Sequence, residues 1–443
     1  MGYETGELLN EGKTKEIWGV VGNSNIVIVK NKKDITAFDD PEYTKEFALK
    51  AKYATTTTCR VFELLQKAGI PVAYQEQISE TEFIAPNCAM IPLEVVARRL
   101  AVGSYLKRHP ELNKQEGQPP HRFHRLVIEF FLKTTNGRLI NNQGLVVVRD
   151  LNSQKGEEDP FILNPNEERW KLYHSKKPLW DPEANLCIFA TAADAVGMMA
   201  MKNISFMEEI TRKVFLVLEG AWNVLGLRLI DMKIEFGITD SGNILVADVI
   251  DNDSWRLKDQ HWQELSKQAF RDGEKLDEVE RKYGTVAQLV ERFRIPNQAI
   301  VIWKGSEADD FIDLSLMDKI PGVSVIEVAK SGHKETDSAL KKLEEIISLY
   351  PDGGVIITKV GRSNGLGPTL STHTNWIVIS VSADWKQKPQ NIWSSLDMPS
   401  DAPMLTALYD KNALFAAMQI LSQKNPIFYM LRQNAIEELD PQY

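Results

Sequence analysis

The sequence is poor in the groups from which disulfide frameworks, membrane spans and nucleic-acid surfaces are made. Its 443 residues hold three cysteines, Cys59, Cys88 and Cys187, and no Cys-x-x-Cys pair. So sparse and odd a set argues against a disulfide scaffold and fits a reducing compartment. No run of about 18 apolar residues occurs, and the opening Met-Gly-Tyr-Glu-Thr-Gly-Glu lacks the basic start and apolar core of a leader peptide. The expectation is a cytoplasmic protein with no membrane partner. Acidic residues outnumber basic ones, and the formal net charge of -9 speaks against a nucleic-acid binder, while leaving room for a local basic cleft that takes phosphate.

What remains is an ordinary globular composition, and the length predicts about two to three domains. Residues 1–260 mix short strands, such as 25–30, with helices, such as 44–67, an order typical of α+β architecture. Residues 134–182, rich in Asn, Lys, Glu and Pro, carry few periodic signals and read as an insertion or long surface excursion. Residues 261–296 have helical spacing and read as a connector. Beyond Pro296 lie four continuous apolar runs rich in Val and Ile, at 299–303, 323–329, 354–360 and 376–381, separated by helical spans. Such runs predict an α/β domain over 297–443, a three-layer doubly wound parallel sheet.

The most informative stretch is Leu229-Ile230-Asp231-Met232-Lys233-Ile234-Glu235-Phe236-Gly237. Its period of two puts Asp231, Lys233 and Glu235 on one face of a strand, with Ile230, Met232, Ile234 and Phe236 on the other. Turn chemistry at Asp240-Ser241-Gly242-Asn243 predicts a return strand over 244–250 that brings Asp248 back beside the first. The hairpin then presents carboxylates beside a lysine. A solvated charged face is the simpler alternative.

Three further segments are chemically pointed. Glu11-Gly12-Lys13-Thr14-Lys15-Glu16 sets two lysines at strand spacing beside a glycine, which suits a polyphosphate. It is not a P-loop, since Glu7 stands where the first glycine of that pattern belongs. In the segment from Met90 to Ser104, Arg98 supplies a planar fork for phosphate or carboxylate, and Gly103-Ser104 adds backbone and hydroxyl donors. Asp248 to Arg256 crowds polar groups at the end of the hairpin. In the second half, each apolar run ends in a small polar cluster: Gly305-Ser306, then Ser331-Gly332-His333-Lys334, then Gly361-Arg362-Ser363-Asn364-Gly365-Leu366-Gly367. Ligands of open α/β sheets bind outside the carboxyl ends of the strands, so these clusters can converge on one crevice.

IPLEVVARRLAVGS (91–104) and LIDMKIEFG (229–237) resemble the signature segments of the phosphoribosylaminoimidazole-succinocarboxamide (SAICAR) synthetase family, whose fold is related to ATP-grasp enzymes. EGKTKE stands in the nucleotide position and ADVIDNDSWRL (247–257) in the substrate and metal position, in the same order. The resemblance implies ATP with Mg2+ as cofactors: ATP phosphorylates the carboxylate of carboxyaminoimidazole ribotide, and L-aspartate attacks the acyl phosphate. It implies Lys13, Lys15, Met90 and Glu235 at ATP, Glu235 and Asp248 at the metal, and Asp231 and Lys233 in catalysis. Arg98, Ser104, Asp253 and Arg256 are implied at the ribotide. Two departures stand out, Val102 before Gly-Ser and Phe38 for an expected glycine. The family's lysine, acidic run, Asp-Pro segment is also interrupted after Lys133. Either Asp159-Pro160 or Asp181-Pro182 can end it, and spacing back from Asp231 favours Asp181.

GRSNGLGP (361–368) and SGHK (331–334) resemble the animal type of phosphoribosylaminoimidazole (AIR) carboxylase, and fusion of the two activities is the arrangement of bifunctional enzymes of animal purine synthesis. The resemblance implies carboxylation of aminoimidazole ribotide by CO2 with no cofactor. Ser306 and Ser331 are implied at the ribotide, His333 in proton transfer, and Lys334, Arg362, Ser363 and Asn364 at CO2 or carboxylate. It also implies a homo-octamer through the C-terminal domain, to which the helix expected at 412–421 offers a contact. Gly305-Ser306-Glu307-Ala308-Asp309 replaces the family's Gly-Ser-Thr-Ser-Asp, and Thr372-His373-Thr374 its Gly-Asn-Thr. These changes leave open an alternative in which an active synthetase carries a carboxylase-like scaffold.

Overall fold

The alternation at 229–237 is realised as the strand Arg228–Ile238, at the heart of an eight-stranded antiparallel sheet. The computed structural model describes residues 2–12, 14–36, 44–46, 49–115, 117–141, 143–311, 314, 317 and 323–440. Lys13 and Phe38 lie outside the described residues. By its internal contacts the chain divides into two compact units, Met1–Gln66 with Ile70–Phe293 and Ile436–Tyr443, and Arg294–Ala435 with Lys67–Gly69.

In the first unit a five-stranded antiparallel sheet runs Thr5–Glu11, Lys15–Val20, Asn23–Asn31, Glu82–Pro86 and Glu76–Gln77. The eight-stranded sheet carries Ala89–Leu100 between Arg122–Leu132 and Arg228–Ile238. Ile244–Ala247 and Trp255–Lys258 both pair with Arg228–Ile238. The helix Ile204–Val224 packs against that strand and buries Met207, Val214, Phe215, Leu218 and Trp222, which accounts for the apolar face. The charged face is covered too: Asp231 and Glu235 are each 4% exposed, so the solvated-face alternative does not hold.

Several expected boundaries move. The helix expected at 44–67 is Lys50–Lys67, and Thr44–Glu46 pairs with Asp34–Thr36 instead. The return strand ends at Ala247, because Asp248 turns to a φ of 67° and leaves the ladder. Residues 134–182 are not all excursion: Phe161–Ile162 and Arg169–Tyr173 are strands of the large sheet. Both are short, so a period of two has little room to show.

A buried ion cluster ties distant parts of this unit together. Arg99 donates through Nε and Nη2 to Glu219, 2.8 Å each, and through Nη2 to Glu437 at 2.6 Å. Arg212 and the backbone N–H of Leu126 donate to the other oxygen of Glu437, at 2.9 and 3.0 Å.

In the second unit Ser324–Ala329, Ala299–Lys304, Gly354–Val360, Ile377–Ser382 and Leu405–Ala407 form a five-stranded parallel sheet in that order. Val301, Trp303, Ile356 and Val378 pack on Ala339, Leu343 and Ile346 of the helix Thr336–Leu349. Ile300, Ile302, Ile357 and Ile379 take the other face with Ala413, Leu414 and Met418 of Asp410–Leu421. Both faces are covered, which is why these strands read as unbroken apolar runs. The fifth strand was not anticipated, being three residues long. No helix among the described residues is long and apolar enough to cross a membrane.

Candidate active sites

Register assembles the first site. On adjacent strands Asp231 faces Arg98 and Glu235 faces Glu94, so the charges of both share one side of the sheet. Lys233 Nζ donates to Glu94 at 2.7 Å and to Glu235 at 3.1 Å, and Lys133 Nζ donates to both oxygens of Glu235 at 2.7 and 2.6 Å. Burial opposes the charge of Glu235, yet Lys233 and then Lys133 outweigh it and hold the carboxyl at about 2. Burial likewise works against Lys233, and Glu94 and Glu235 hold its ammonium above the ordinary lysine range. Lys15 pairs with Asp248. Its ammonium is pulled down to about 8 by burial, against the attraction of Glu235 and with repulsion from Lys133 and Lys233.

These groups border a cavity of about 940 Å3, lined on the apolar side by Val27, Val29, Phe83 and Ala85, with Met90 at its edge and Lys15, Lys133, Glu235 and Asp248 on the polar side. A flat apolar wall beside cations fits a base followed by phosphates. Among the described residues no group of three or more His, Cys, Asp or Glu is gathered to hold a metal. Glu235 and Asp248 nevertheless fit Mg2+ in kind, since that ion takes hard oxygens and often only one or two carboxylates, with phosphate and water as the rest.

Toward the other end of the same strand the arginines meet. Asp231 lies four residues from Glu235, about 13 Å along a strand, and its Oδ2 accepts from Arg98 at 2.6 Å and from Arg256 at 2.5 Å. Arg98 also donates to Glu129 at 2.6 Å and to Ser104 Oγ at 3.3 Å. Burial works against its charge, and Glu129 and Asp231 more than offset that and raise its pKa. Gly103 has a φ of 60°, and a Cβ there would lie 2.6 Å from Arg256 Nη2. Only glycine lets the Gly103-Ser104 backbone lie on that guanidinium. Arg98, Ser104, Asp231 and Arg256 are therefore one constellation.

Asp253 stands apart from it. Its carboxylate accepts from Lys50 and Lys267 at 3.1 Å each and from Tyr283 at 2.6 Å. Burial opposes its charge but the two lysines hold its pKa down, whereas burial and the neighbouring Asp253 raise Asp251 to about 6.

Two further groups pack about the first site, one absent from the sequence reading and one left there as an alternative. Glu129 bridges Arg98 and the buried Arg108; it is the one polar position in the apolar stretch Leu126 to Leu132, and only register reveals its partners. Asp159 is the other. Its Oδ1 accepts from the backbone N–H of Thr134 at 2.8 Å, and the Leu132 N–H donates to the carbonyl of Pro160 at 3.0 Å. Asp159-Pro160 is thereby fastened beside Lys133. Asp181 instead caps the short 3-10 turn Pro182–Ala184, accepting from Glu183 N–H at 2.8 Å.

In the second unit three loops meet at the carboxyl ends of the strands. The carboxylate of Asp309 lies 3.5 Å from where a Cβ on Gly305 would be and 3.9 Å from that of Gly361, joining the loops after Lys304 and Val360. A Cβ on Gly332 would lie 2.5 Å from Leu366 Cα, and the His333 ring rests on Gly365. Ser331 Oγ accepts from the N–H groups of His333 and Lys334 at 3.3 and 3.2 Å, which closes that loop. Ser306, His333, Lys334, Arg362 and Ser363 are exposed on this rim. Asn364 is not. It is 4% exposed, donates to Ser380 and Ser395 at 2.8 and 3.0 Å and accepts from Gly367 N–H at 2.9 Å, so it braces the loop from inside. Glu307 and Ala308 are exposed, and His373 sits at the end of Leu366–Ser371, its ring against Thr369 O at 2.7 Å.

A family profile described as SAICAR synthetase matches residues 8–157 and 175–290, and one described as AIR carboxylase matches residues 300–438. A probable multifunctional protein ADE2 of Caenorhabditis elegans is 34% identical over 437 residues, 96% of this chain and 92% of that protein. A bifunctional phosphoribosylaminoimidazole carboxylase/phosphoribosylaminoimidazole succinocarboxamide synthetase of Drosophila melanogaster is 34% identical over 442 residues, 96% of this chain and 90% of that protein. Among solved structures, a phosphoribosylaminoimidazole-succinocarboxamide synthase from Ehrlichia chaffeensis aligns with a TM-score of 0.47 and 21% identity, over 65% of this chain and 100% of that one.

Proposed function

Because the chain belongs to the SAICAR synthetase family and, beyond residue 300, to the AIR carboxylase family, it is a bifunctional enzyme of purine biosynthesis, and we propose a division of labour between its two sites. The second unit carboxylates aminoimidazole ribotide with CO2. The first joins L-aspartate to the carboxylated ribotide with ATP, giving SAICAR, ADP and phosphate. The observation that carries the ligase reading is the single charged sheet face on which Glu235, paired with Lys233, borders a nucleotide-sized cavity together with Lys133, while Asp231 holds Arg98 and Arg256 about 13 Å away.

ATP lies with its base against Val27, Val29, Phe83 and Ala85 and its phosphates toward Lys13, Lys15 and Lys133. Arg98, Ser104 and Arg256 hold the ribotide phosphate and carboxylate, so the carboxylate points at the γ-phosphoryl group. The carboxylate oxygen bonds to phosphorus as the bond to ADP breaks. The aspartate amine then attacks the acyl carbon, the carbon–oxygen bond breaks, and phosphate leaves. Phosphoryl transfer asks chiefly for positioning and charge, which the lysines supply. Glu235 and Asp248 would hold Mg2+, which would neutralise charge on the phosphates. No protein nucleophile is required.

In the second unit the ribotide phosphate sits at Ser306 and Ser331, and CO2 near Lys334, Arg362 and Ser363. His333 takes the proton that the imidazole carbon loses as the new carbon–carbon bond forms. Assembly as a homo-octamer through this unit and residence in the cytoplasm complete the proposal.

Intact protein incubated with aminoimidazole ribotide and bicarbonate, without ATP, is expected to yield the carboxylated ribotide, and addition of ATP and aspartate to yield SAICAR with one ADP each. Absence of the first product while the second reaction persists overturns the carboxylase assignment, and ADP release that ignores aspartate overturns the ligase. Light scattering that shows a monomer overturns the octamer.

A further inference from the structure

The interruption after Lys133 is a built part of the nucleotide cavity. Thr135 and Arg138 exchange both backbone hydrogen bonds, Thr135 N–H to Arg138 O at 2.8 Å and the reverse at 3.1 Å. Between them Asn136 and Gly137 have φ of 51° and 70°. Asn-Gly with both residues left-handed is the two-residue type I′ hairpin, the tightest connection two strands can have. It is pinned from outside as well. Gly137 N–H donates to Glu158 Oε1 at 2.8 Å, Leu151 N–H donates to Gly137 O at 3.2 Å, and a Cβ on Gly137 would lie 2.1 Å from Leu151 O.

This rigid turn lines the same cavity as Lys15, Lys133, Glu235 and Asp248, through Thr135, Asn136, Arg138, Leu139 and Ile140. The charges there are unequally engaged. Lys15 is matched by Asp248 and Lys133 by Glu235. Arg138 is exposed, and among the described cavity-lining residues it is the one cation whose side chain has no partner. A polyphosphate carries more negative charge than matched pairs can answer, and a guanidinium forms forked, charge-assisted bonds to phosphate oxygens.

We propose that Arg138, presented by the Asn136-Gly137 turn, is a phosphate-binding residue for the nucleotide. The inference rests on the cavity being the ATP site. In calorimetry on the intact protein, Arg138→Ala is expected to weaken ATP binding about tenfold while leaving adenosine binding unchanged, and Arg138→Lys to recover part of the loss. The adenosine affinity of Arg138→Ala, expected to equal that of the parent, reports that the cavity and the fold are intact. ATP affinity within twofold of the parent for Arg138→Ala, or equal losses for ATP and adenosine, overturns the role of Arg138. Photolabelling of the parent protein with 8-azido-ATP separates that outcome from failure of the underlying reading. Labels on peptides containing Val27 to Val29 or Phe83 to Pro92 keep the nucleotide in the cavity, and labels confined elsewhere remove it.

Discussion

A Cβ on Gly365 would lie 2.2 Å from Cε1 of His333. The imidazole therefore rests on the bare backbone of the neighbouring loop, and that loop fixes where the ring can be. Gly365→Ala is expected to drive His333 out of place and lower carboxylation of aminoimidazole ribotide about a hundredfold, close to the loss in His333→Asn. Aspartate ligation from added carboxylated ribotide serves as the internal control and stays within twofold. Carboxylation unaffected by Gly365→Ala would remove His333 from the reaction.

Asp231 satisfies two guanidiniums with one oxygen. Asp231→Asn removes the charge that holds them together and leaves Arg98 and Arg256 repelling each other. We expect kcat/KM for the carboxylated ribotide to fall by roughly 2–4 kcal/mol equivalent, with KM for ATP little changed. Steady-state kinetics with each substrate varied in turn measures the split, and a change confined to ATP would contradict the arrangement.

The ammonium of Lys15, pulled down to about 8, is charged below that pH and neutral above it. Glu235, held at about 2, stays ionised across the working range. The ligase kcat/KM for ATP is therefore expected to decline on the alkaline side with a midpoint of about 8, since this parameter reports the free enzyme. Lys15→Arg, which remains charged, should retain binding and lose that limb. A profile flat to pH 10 would show that Lys15 does not meet the phosphates.

Asp159 and Asp181 make opposite demands on the same assay. Asp159 is fastened to Thr134 next to Lys133, whereas Asp181 caps an exposed turn. Asp159→Ala is expected to reduce ligase kcat about a hundredfold by freeing the segment that carries Lys133, and Asp181→Ala to change it less than twofold. The reverse ranking would favour the sequence spacing over the geometry.

Much of both sites was legible because their residues lie close in sequence and follow strand periodicity. Asp231, Lys233 and Glu235 announce themselves by alternation, and the polar clusters after the apolar runs mark strand ends. The four apolar runs became parallel strands, three of them buried on both faces and the edge strand Ser324–Ala329 only partly so. Glu129, Glu219 and Glu437 were not legible, because an acidic residue in an apolar segment says nothing of the arginine it will meet across a register set elsewhere. Asp159 was named but ranked behind Asp181, because counting residues across an insertion measures contour length and not position. The Asn136-Gly137 pair was readable as a hairpin signal and was overlooked within a segment judged by composition. Asn364 carries the opposite lesson, since a polar residue in a functional loop spends its amide on anchoring the loop to Ser380 and Ser395.

The pairing of Glu437 with Arg99 and Arg212 bears on how the molecule is made. Both arginines lie in the first half of the chain and are buried, 1% and 8% exposed. A ribosome delivers their shared carboxylate only after residues 294–435 have been synthesised. Until then the pair has Glu219 alone beside Arg99, and a buried cation without its counter-charge is unfavourable by several kcal/mol. The ligase unit thus begins first and is completed last. Arg99 and Arg212 gain this counter-charge only once the growing chain already contains the whole of the carboxylase sheet, which links the charge balance of one activity's interior to the synthesis of the other.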